Sequence, residues 1–405
     1  MHDHDHPDGR HDFDFIHGRW QVQNERLRAR LVGSDDWEVF PATDECRSLL
    51  GGIGNLEEFH TEWNGGYEGL ALRLYDLASR QWRIYWSSNC SGVLDPPVSG
   101  RFENGVGTFH GEDRHEDRPV RVRFLWSHSS ANAAHWQQAF SVDEGATWET
   151  NWHMWFRRLD AQDRLVHEDT FLELRQYTLQ PGQREVLVDL FEREFIEPQE
   201  AVGMHVIGHF RDLDAPDRFV WLRGFASMEA RREALQAFYF GPVWKRHRDA
   251  ANATMIDSEN VLLLKPAQAG ARPISVAQRP AAGEQAPAGA ICIGICALAE
   301  AAEHGFAARF DDQFVPLLRE HGAELLARYL TDASANSFPR LPVRESERVF
   351  VWLARFDDVG ALDAHLSALR GDAQWQQAIA TAMGNELLQP PEMLRLVPTA
   401  RSELR

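Results

Sequence analysis

The chain repeats itself. Phe219-Val220-Trp221-Leu222 returns as Phe350-Val351-Trp352-Leu353, and Trp244 with Met255 is matched by Trp375 with Met383. Around each tetrapeptide the same succession of patterns runs. Strand-length apolar stretches at 171–179, 204–210, 218–225 and 259–266 flank helical spacing at 181–198 and 227–240. The second copy shows strands at 291–298, 324–330, 347–356 and 391–398, with helices at 306–322 and 359–370. Each copy reads β-α-β-β-α-β, the ferredoxin-like arrangement. Two such copies are expected to pack sheet to sheet within one chain.

The first 160 residues are written differently. Ten of the 14 tryptophans precede residue 156. Short alternating stretches are separated by turn signals, among them Asn104-Gly105 and Glu144-Gly145, and no long helical pattern intervenes. Such a segment predicts a β-sandwich or closed barrel. Aromatics at alternate positions are read first as packing. His110, His135 and His153 are the candidate ligand-binding groups of this part.

At 405 residues with a net charge of −19, the chain is long enough for several domains and lacks the basic stripe that nucleic acid requires. The same charge disfavours anionic membrane surfaces, and no apolar run approaches a membrane-spanning length. The opening MHDHDHPDGRHDFDF has no secretory pattern, so a cytoplasmic location is expected. His2, His4 and His6 alternate with aspartates and are read as a polar tail (1–12) rather than a metal site. Cys46, Cys90, Cys292 and Cys296 fit no disulfide or zinc spacing and are expected to be free thiols. Residues 267–289, rich in Ala, Pro and Gly, are read as a linker.

Three segments carry a family resemblance. ELRQYTLQPG (173–182), RFVWLRGF (218–225) and FYFGPVWKRHRDAANATMIDS (238–258) together resemble the NIPSNAP family, closely over 167–266 and as a diverged copy over 290–398. FDFIHGRWQV (13–22), with its Gly18-x-Trp20, resembles the first strand of lipocalin-like barrels, placing such a domain at 13–158. The resemblance implies a multidomain protein: an all-β lipocalin-like barrel, then α+β tandem ferredoxin-like repeats forming a dimeric α+β barrel. Related barrels include monooxygenases, isomerases, lyases and haem enzymes, so the fold does not select a reaction.

Strand alternation supplies the site residues. Glu173, Arg175 and Tyr177 share one face, as do Trp221, Arg223 and Phe225. Leu172, Leu174, Val220 and Leu222 are expected beneath the helices, which turns the polar set into the barrel interior. His205 and His209 are expected on one common face. Buried charges must be paired or meet a ligand, so Arg175 and Arg223 are read either as structural cement or as anion anchors. In 238–258, Gly241-Pro242 ends one helix and starts another. Trp244 and His247 share one face of the new helix, with Asn252 on the adjacent face and Tyr239 just before it. His247 and Asn252 have no equivalent polar residue in the second copy, so the segment is expected to be a lid over one barrel mouth.

The functional expectation is cofactor-independent acid–base chemistry on a small, partly aromatic anionic or carbonyl substrate. His247 or His209 would move the proton, and Arg175 or Arg223 would hold the oxyanion. Glu173, Tyr177, Trp221, Tyr239, Trp244 and Asn252 would bind substrate. A haem protein with an axial histidine and a non-catalytic ligand-binding or scaffold protein are the alternatives. The partners expected are a small-molecule ligand and a second copy of the chain, with no nucleic acid and no membrane.

Overall fold

The computed structural model describes residues 8–268, 274, 276–284, 288–302 and 305–405. His2, His4, His6 and parts of the 267–289 stretch lie outside the described residues. Two compact units divide the chain near Val166 and His167.

The first unit is a closed antiparallel barrel of ten strands. These are β1 (Gly18–Leu27), β2 (Trp37–Leu49), β3 (Gly54–Thr61), β4 (Tyr67–Asp76), β5 (Gln81–Ser88), β6 (Val98–Glu103), β7 (Val106–His115), β8 (Arg118–Ser130), β9 (Ala133–Ser141) and β10 (Glu149–Arg158). Neighbours in sequence pair throughout, and β1 closes on β10. Asn104 and Gly105 both take positive φ, which joins β6 to β7 in the tight turn that their sequence signals. A short turn at Asp14–Ile16 tucks Phe13 and Ile16, both fully buried, into the interior. His110 packs on Trp148, while the rings of His135 and His153 meet at 3.0 Å.

The second unit joins both repeats into one closed eight-stranded barrel. The first repeat contributes β11 (Phe171–Leu179), β12 (His205–Asp212), β13 (Arg218–Phe225) and β14 (Met255–Pro266). Its helices are α1 (Arg184–Glu194), α2 (Ile196–Ala201), α3 (Met228–Phe240) and α4 (Pro242–Ala253). The second contributes β15 (Ala290–Ala297), β16 (Glu324–Thr331), β17 (Val349–Phe356) and β18 (Glu392–Pro398). Its helical layer holds α5 (Phe306–Arg309), which runs through a π-helical turn into α6 (Val315–Glu320), then α7 (Val359–Gly371) and α8 (Ala373–Asn385). The order around the barrel is β11-β13-β12-β18-β15-β17-β16-β14. The sheets do pair within the chain, and they also join edge to edge: β12 bonds to β18 and β14 to β16.

The interior of this barrel is apolar. Leu172, Leu174, Val220 and Leu222 pack there against Ile293, Val351, Leu353 and Leu394 of the other repeat. The expected facing is therefore inverted: the leucines fill the lumen, and Glu173, Arg175, Tyr177, Trp221, Arg223 and Phe225 face the helices. The reason is space. Eight strands leave an interior that side chains just fill, so it must be dry and interdigitated, whereas the helical layer offers partners for charge.

A bulge corrects a second expectation. The pairing of β12 with β13 slips between Val206 and Gly208, so His205 lies opposite Gly224 while His209 lies opposite Trp221. The extra residue flips the alternation, putting the two histidines on opposite faces. The second repeat has the same slip in β16, between Leu325 and Ala327. The paired tryptophans do correspond, but Met255 starts β14 whereas Met383 lies within α8.

Candidate functional site

The outer face of the first repeat's sheet carries two polar rows. Cross-strand register sets Glu173 opposite Arg223 and Arg175 opposite Trp221. On the other side of β13, His209 stands opposite Trp221. α1 packs on this face: Phe191 lies 5.0 Å from the Trp221 ring and 5.4 Å from His209. α3 adds Arg231. Its N-cap Ser227 accepts from the Ala230 amide, fixing the start of the helix, and Arg231 follows on the buried side with Ala234, Leu235 and Phe238.

Glu173 is the hub, with no solvent exposure. Its Oε2 accepts from Arg175 Nη1 at 2.6 Å and from Arg223 Nε at 2.7 Å, and its Oε1 accepts from Arg231 Nε at 2.6 Å. Burial alone would raise this carboxyl. Arg223, Arg175 and Arg231 more than reverse that and hold it well below the usual carboxylate range. Burial pulls the Arg231 guanidinium downward, and Arg223 adds to the effect.

Three guanidiniums on one carboxylate leave two positive charges in excess. Neutral groups take up some of the donors. Arg175 Nε donates to the Tyr177 hydroxyl at 3.0 Å, and Arg223 Nη1 donates to Gln199 Oε1 at 3.2 Å. Arg231 Nη1 donates to Asn336 Oδ1 and Ser337 Oγ, both at 3.0 Å, in the segment between β16 and β17. Arg223 Nη2, Arg231 Nη2 and Trp221 Nε1 remain buried with no hydrogen-bond partner among the described residues. Buried donors in that state cost free energy unless something accepts from them.

His209 is fully buried, and burial, reinforced by Arg279 and Arg401, holds its imidazole well below its ordinary pKa. The Thr399 hydroxyl donates to Glu192 Oε1 at 2.6 Å, so its oxygen accepts from His209 Nδ1, with which it is in contact. That fixes the proton on Nδ1. Nε2 then carries the lone pair and has no partner among the described residues.

A cavity of about 320 Å³ lies beside this cluster, lined by Tyr239, Trp244, Arg248, Asp249, Asn252, Arg340 and Leu341. Tyr239 reaches the cavity from the end of α3, the helix that carries Arg231. α4 starts at Pro242 as its sequence indicates, but it covers no barrel mouth. Trp244 packs on Phe195, Phe238 and Tyr239, so the helix lies on α1 and α3. His247 turns toward Glu194, 3.4 Å away, and away from the cavity that Trp244, Arg248 and Asn252 line. Of the expected residues, Glu173, Arg175, Tyr177, Trp221, Arg223 and His209 thus share one face, and Tyr239, Trp244 and Asn252 line the adjoining cavity.

Among the described residues the second repeat has no such cluster. Register sets Cys292 opposite Ala354 and Gly294 opposite Trp352, where the first repeat has Glu173 with Arg223 and Arg175 with Trp221. A Cβ on Gly294 would collide with Trp352 Nε1, so the indole fills the place that Arg175 takes in the first copy. Arg231 corresponds to Leu362 in an apolar core. Arg231, Thr399 and Glu192 escape a reading of the sequence. Only Arg231 carries a signal, an arginine on the apolar side of an amphipathic helix.

Residues 172–270 match the NIPSNAP family model. No curated protein matches the chain. Among solved structures, a NIPSNAP-like domain protein from Burkholderia xenovorans is 25% identical, covering 27% of this chain and 94% of its own, with a TM-score of 0.24. A NIPSNAP family protein from Agrobacterium tumefaciens strain C58 is 21% identical over 27% of this chain and 94% of that one, TM-score 0.24. An anthrone oxidase-like protein is 12% identical, with coverage of 57% and 92% and a TM-score of 0.36.

Proposed function

We propose that this chain, whose residues 172–270 are a NIPSNAP domain, binds a small anionic or carbonyl molecule beneath the helices of its first repeat and moves a proton on it. The observation that carries the reading is the surplus of buried donors: Arg223 Nη2, Arg231 Nη2 and Trp221 Nε1 await an acceptor, and two positive charges await an anion. Arg248 and Arg340 in the cavity wall attract the anion, and Tyr239 in that wall lies on the same helix as Arg231. Arg223 and Arg231 hold a carboxylate or a developing enolate oxygen, donors that are fixed before the charge appears. His209 Nε2, neutral and unprotonated, takes the proton, while Glu192 and Thr399 keep the other ring nitrogen protonated. No resident cofactor enters these steps.

Deuterium exchange at the carbon acid of a panel of small 2-oxo acids and ketones, followed by proton NMR, tests the reading whatever the eventual product. At least one member should exchange with the full-length protein. Arg231→Leu should lose binding in calorimetric titration, and His209→Ala should bind but no longer exchange. Binding and exchange unchanged in both variants would overturn the reading; binding that persists without any exchange would reduce the domain to a ligand carrier.

A further inference from the structure

The amino-terminal barrel encloses a second cavity, of about 120 Å³. An apolar cavity of roughly 150 Å³ accommodates one benzene ring, so the space suits a single ring or a group of similar size. One end is stoppered. Phe13 packs 5.1 Å from Trp82, 5.0 Å from Phe102 and 5.8 Å from Trp126. The walls are aromatic: Trp86, Trp126, Trp136, Trp152, Phe59 and Phe124 line it.

Charge is distributed unevenly along this cavity. At the floor Arg73 pairs with Glu57, donates to Asn55 at 3.0 Å, and lies 5.0 Å over the Trp126 ring. The carboxyl of Asp44, beside them, is raised by burial and by Glu57, which keeps it neutral. Floor charge is therefore balanced. The mouth is not: Asp95, Glu112 and Asp113 are exposed lining residues, three carboxylates against the cation Arg30, which lies 5.8 Å over the lining Trp152 ring and whose charge Asp113 favours. Two floor donors remain open, because Arg73 Nε and Trp126 Nε1 have no hydrogen-bond partner among the described residues although both side chains are buried.

We propose that this cavity binds a compact organic cation: an apolar body of one-ring size between the tryptophans, an ammonium at the acidic mouth, and a hydrogen-bond acceptor at the floor. Aromatic faces favour cations over anions through their quadrupoles. The three mouth carboxylates select the same sign and would repel a carboxylate ligand. The open N–H groups of Arg73 and Trp126 accept no cation, so the charged end points outward and a hydroxyl or carbonyl oxygen points in.

Titration of the full-length protein with 4-hydroxyphenethylammonium, read by tryptophan fluorescence and calorimetry, is the test. 2-Phenylethylammonium, which lacks the inner acceptor, and 4-hydroxyphenylacetate, which reverses the charge, are the comparison probes. The hydroxylated ammonium should bind at least tenfold more tightly than either, and binding should weaken with added salt. Asp95→Asn combined with Asp113→Asn, both exposed, the second keeping an oxygen for the Arg114 amide that Asp113 accepts from at 2.7 Å, should weaken it about tenfold and reduce the salt dependence. Equal binding of the anionic probe, no binding of the ammonium at millimolar concentration, or an unchanged affinity in the double variant would each overturn the proposal.

Discussion

Arg231 and Leu362 occupy the same place in the two repeats: each is the fourth residue after its helix's N-cap, Ser227 in one and Asp358 in the other. One is bonded to a buried carboxylate and the other sits in an apolar core. The chain thus contains its own comparison, in which one scaffold position is solved once with charge and once without.

That comparison separates two substitutions by their cost. Arg231→Leu should cost about 1–3 kcal/mol, because Glu173 keeps Arg175 and Arg223 while Asn336 and Ser337 lose a donor. Glu173→Gln should cost roughly 3–5 kcal/mol, since three buried guanidiniums would lose the only carboxylate they pair with among the described residues. Urea midpoints of the two variants decide the matter. Equal losses would mean that the arginines are held by something other than Glu173.

The His209 tautomer is measurable in the absence of any ligand. Nitrogen-15 chemical shifts should show a neutral ring protonated on Nδ1 at pH 6, where an ordinary histidine is largely charged, because burial depresses its pKa. Thr399→Val should remove the acceptor and mix the tautomers. Any exchange activity should decline as pH falls through the depressed value, not at 6.5.

His205 behaves oppositely. Asp169 at 2.5 Å and Glu403 at 2.8 Å flank its two nitrogens and, against burial, lift its pKa to about 9. A raised folded-state value stabilises the fold below the unfolded pKa of about 6.5, and the contribution is lost as pH rises toward 9. The span corresponds to roughly 3 kcal/mol. Thermal midpoints should therefore fall between pH 7 and 9.5, and His205→Gln should flatten that fall. A wild-type midpoint constant across the interval would contradict the ion triad.

Closing the second barrel requires both repeats. A chain ending at residue 268 would leave β12 and β14 without their β18 and β16 partners and expose Leu172, Leu174, Val220 and Leu222. Unpaired edges of this kind recruit copies of themselves. Sedimentation should find the shortened chain as dimers or larger, and a stable monomer would show that the edges are dispensable.

The sequence made the repeats legible because Trp221 and Trp352 are large, rare and embedded in matching strands. It also made Glu173, Arg175 and Arg223 legible, through charge in an apolar stretch, though not Arg231 on its helix. It did not reveal which way they face. Alternation divides a strand into two sets but does not label them, and Glu173 and Leu174 exchange roles depending on whether helix layer or lumen takes the charge. The separation of His209 from His205 escaped for a related reason: the bulge between them is a backbone event with no residue signature. Thr399 lies 190 positions from its histidine, a separation that no local pattern spans.

That bulge has a further consequence. It is present in both repeats, and at the sites of His205 and His209 the second repeat has Glu324 and Arg328, opposite Arg355 and Trp352. The irregular backbone therefore does not depend on the histidines. A strand so bent already opens onto two compartments, one dry and one charged, before any particular side chain occupies it. Retasking it needs only substitutions, with no insertion, no new turn and no change of register, and a duplicated chain can explore them in one copy while the other keeps the barrel shut.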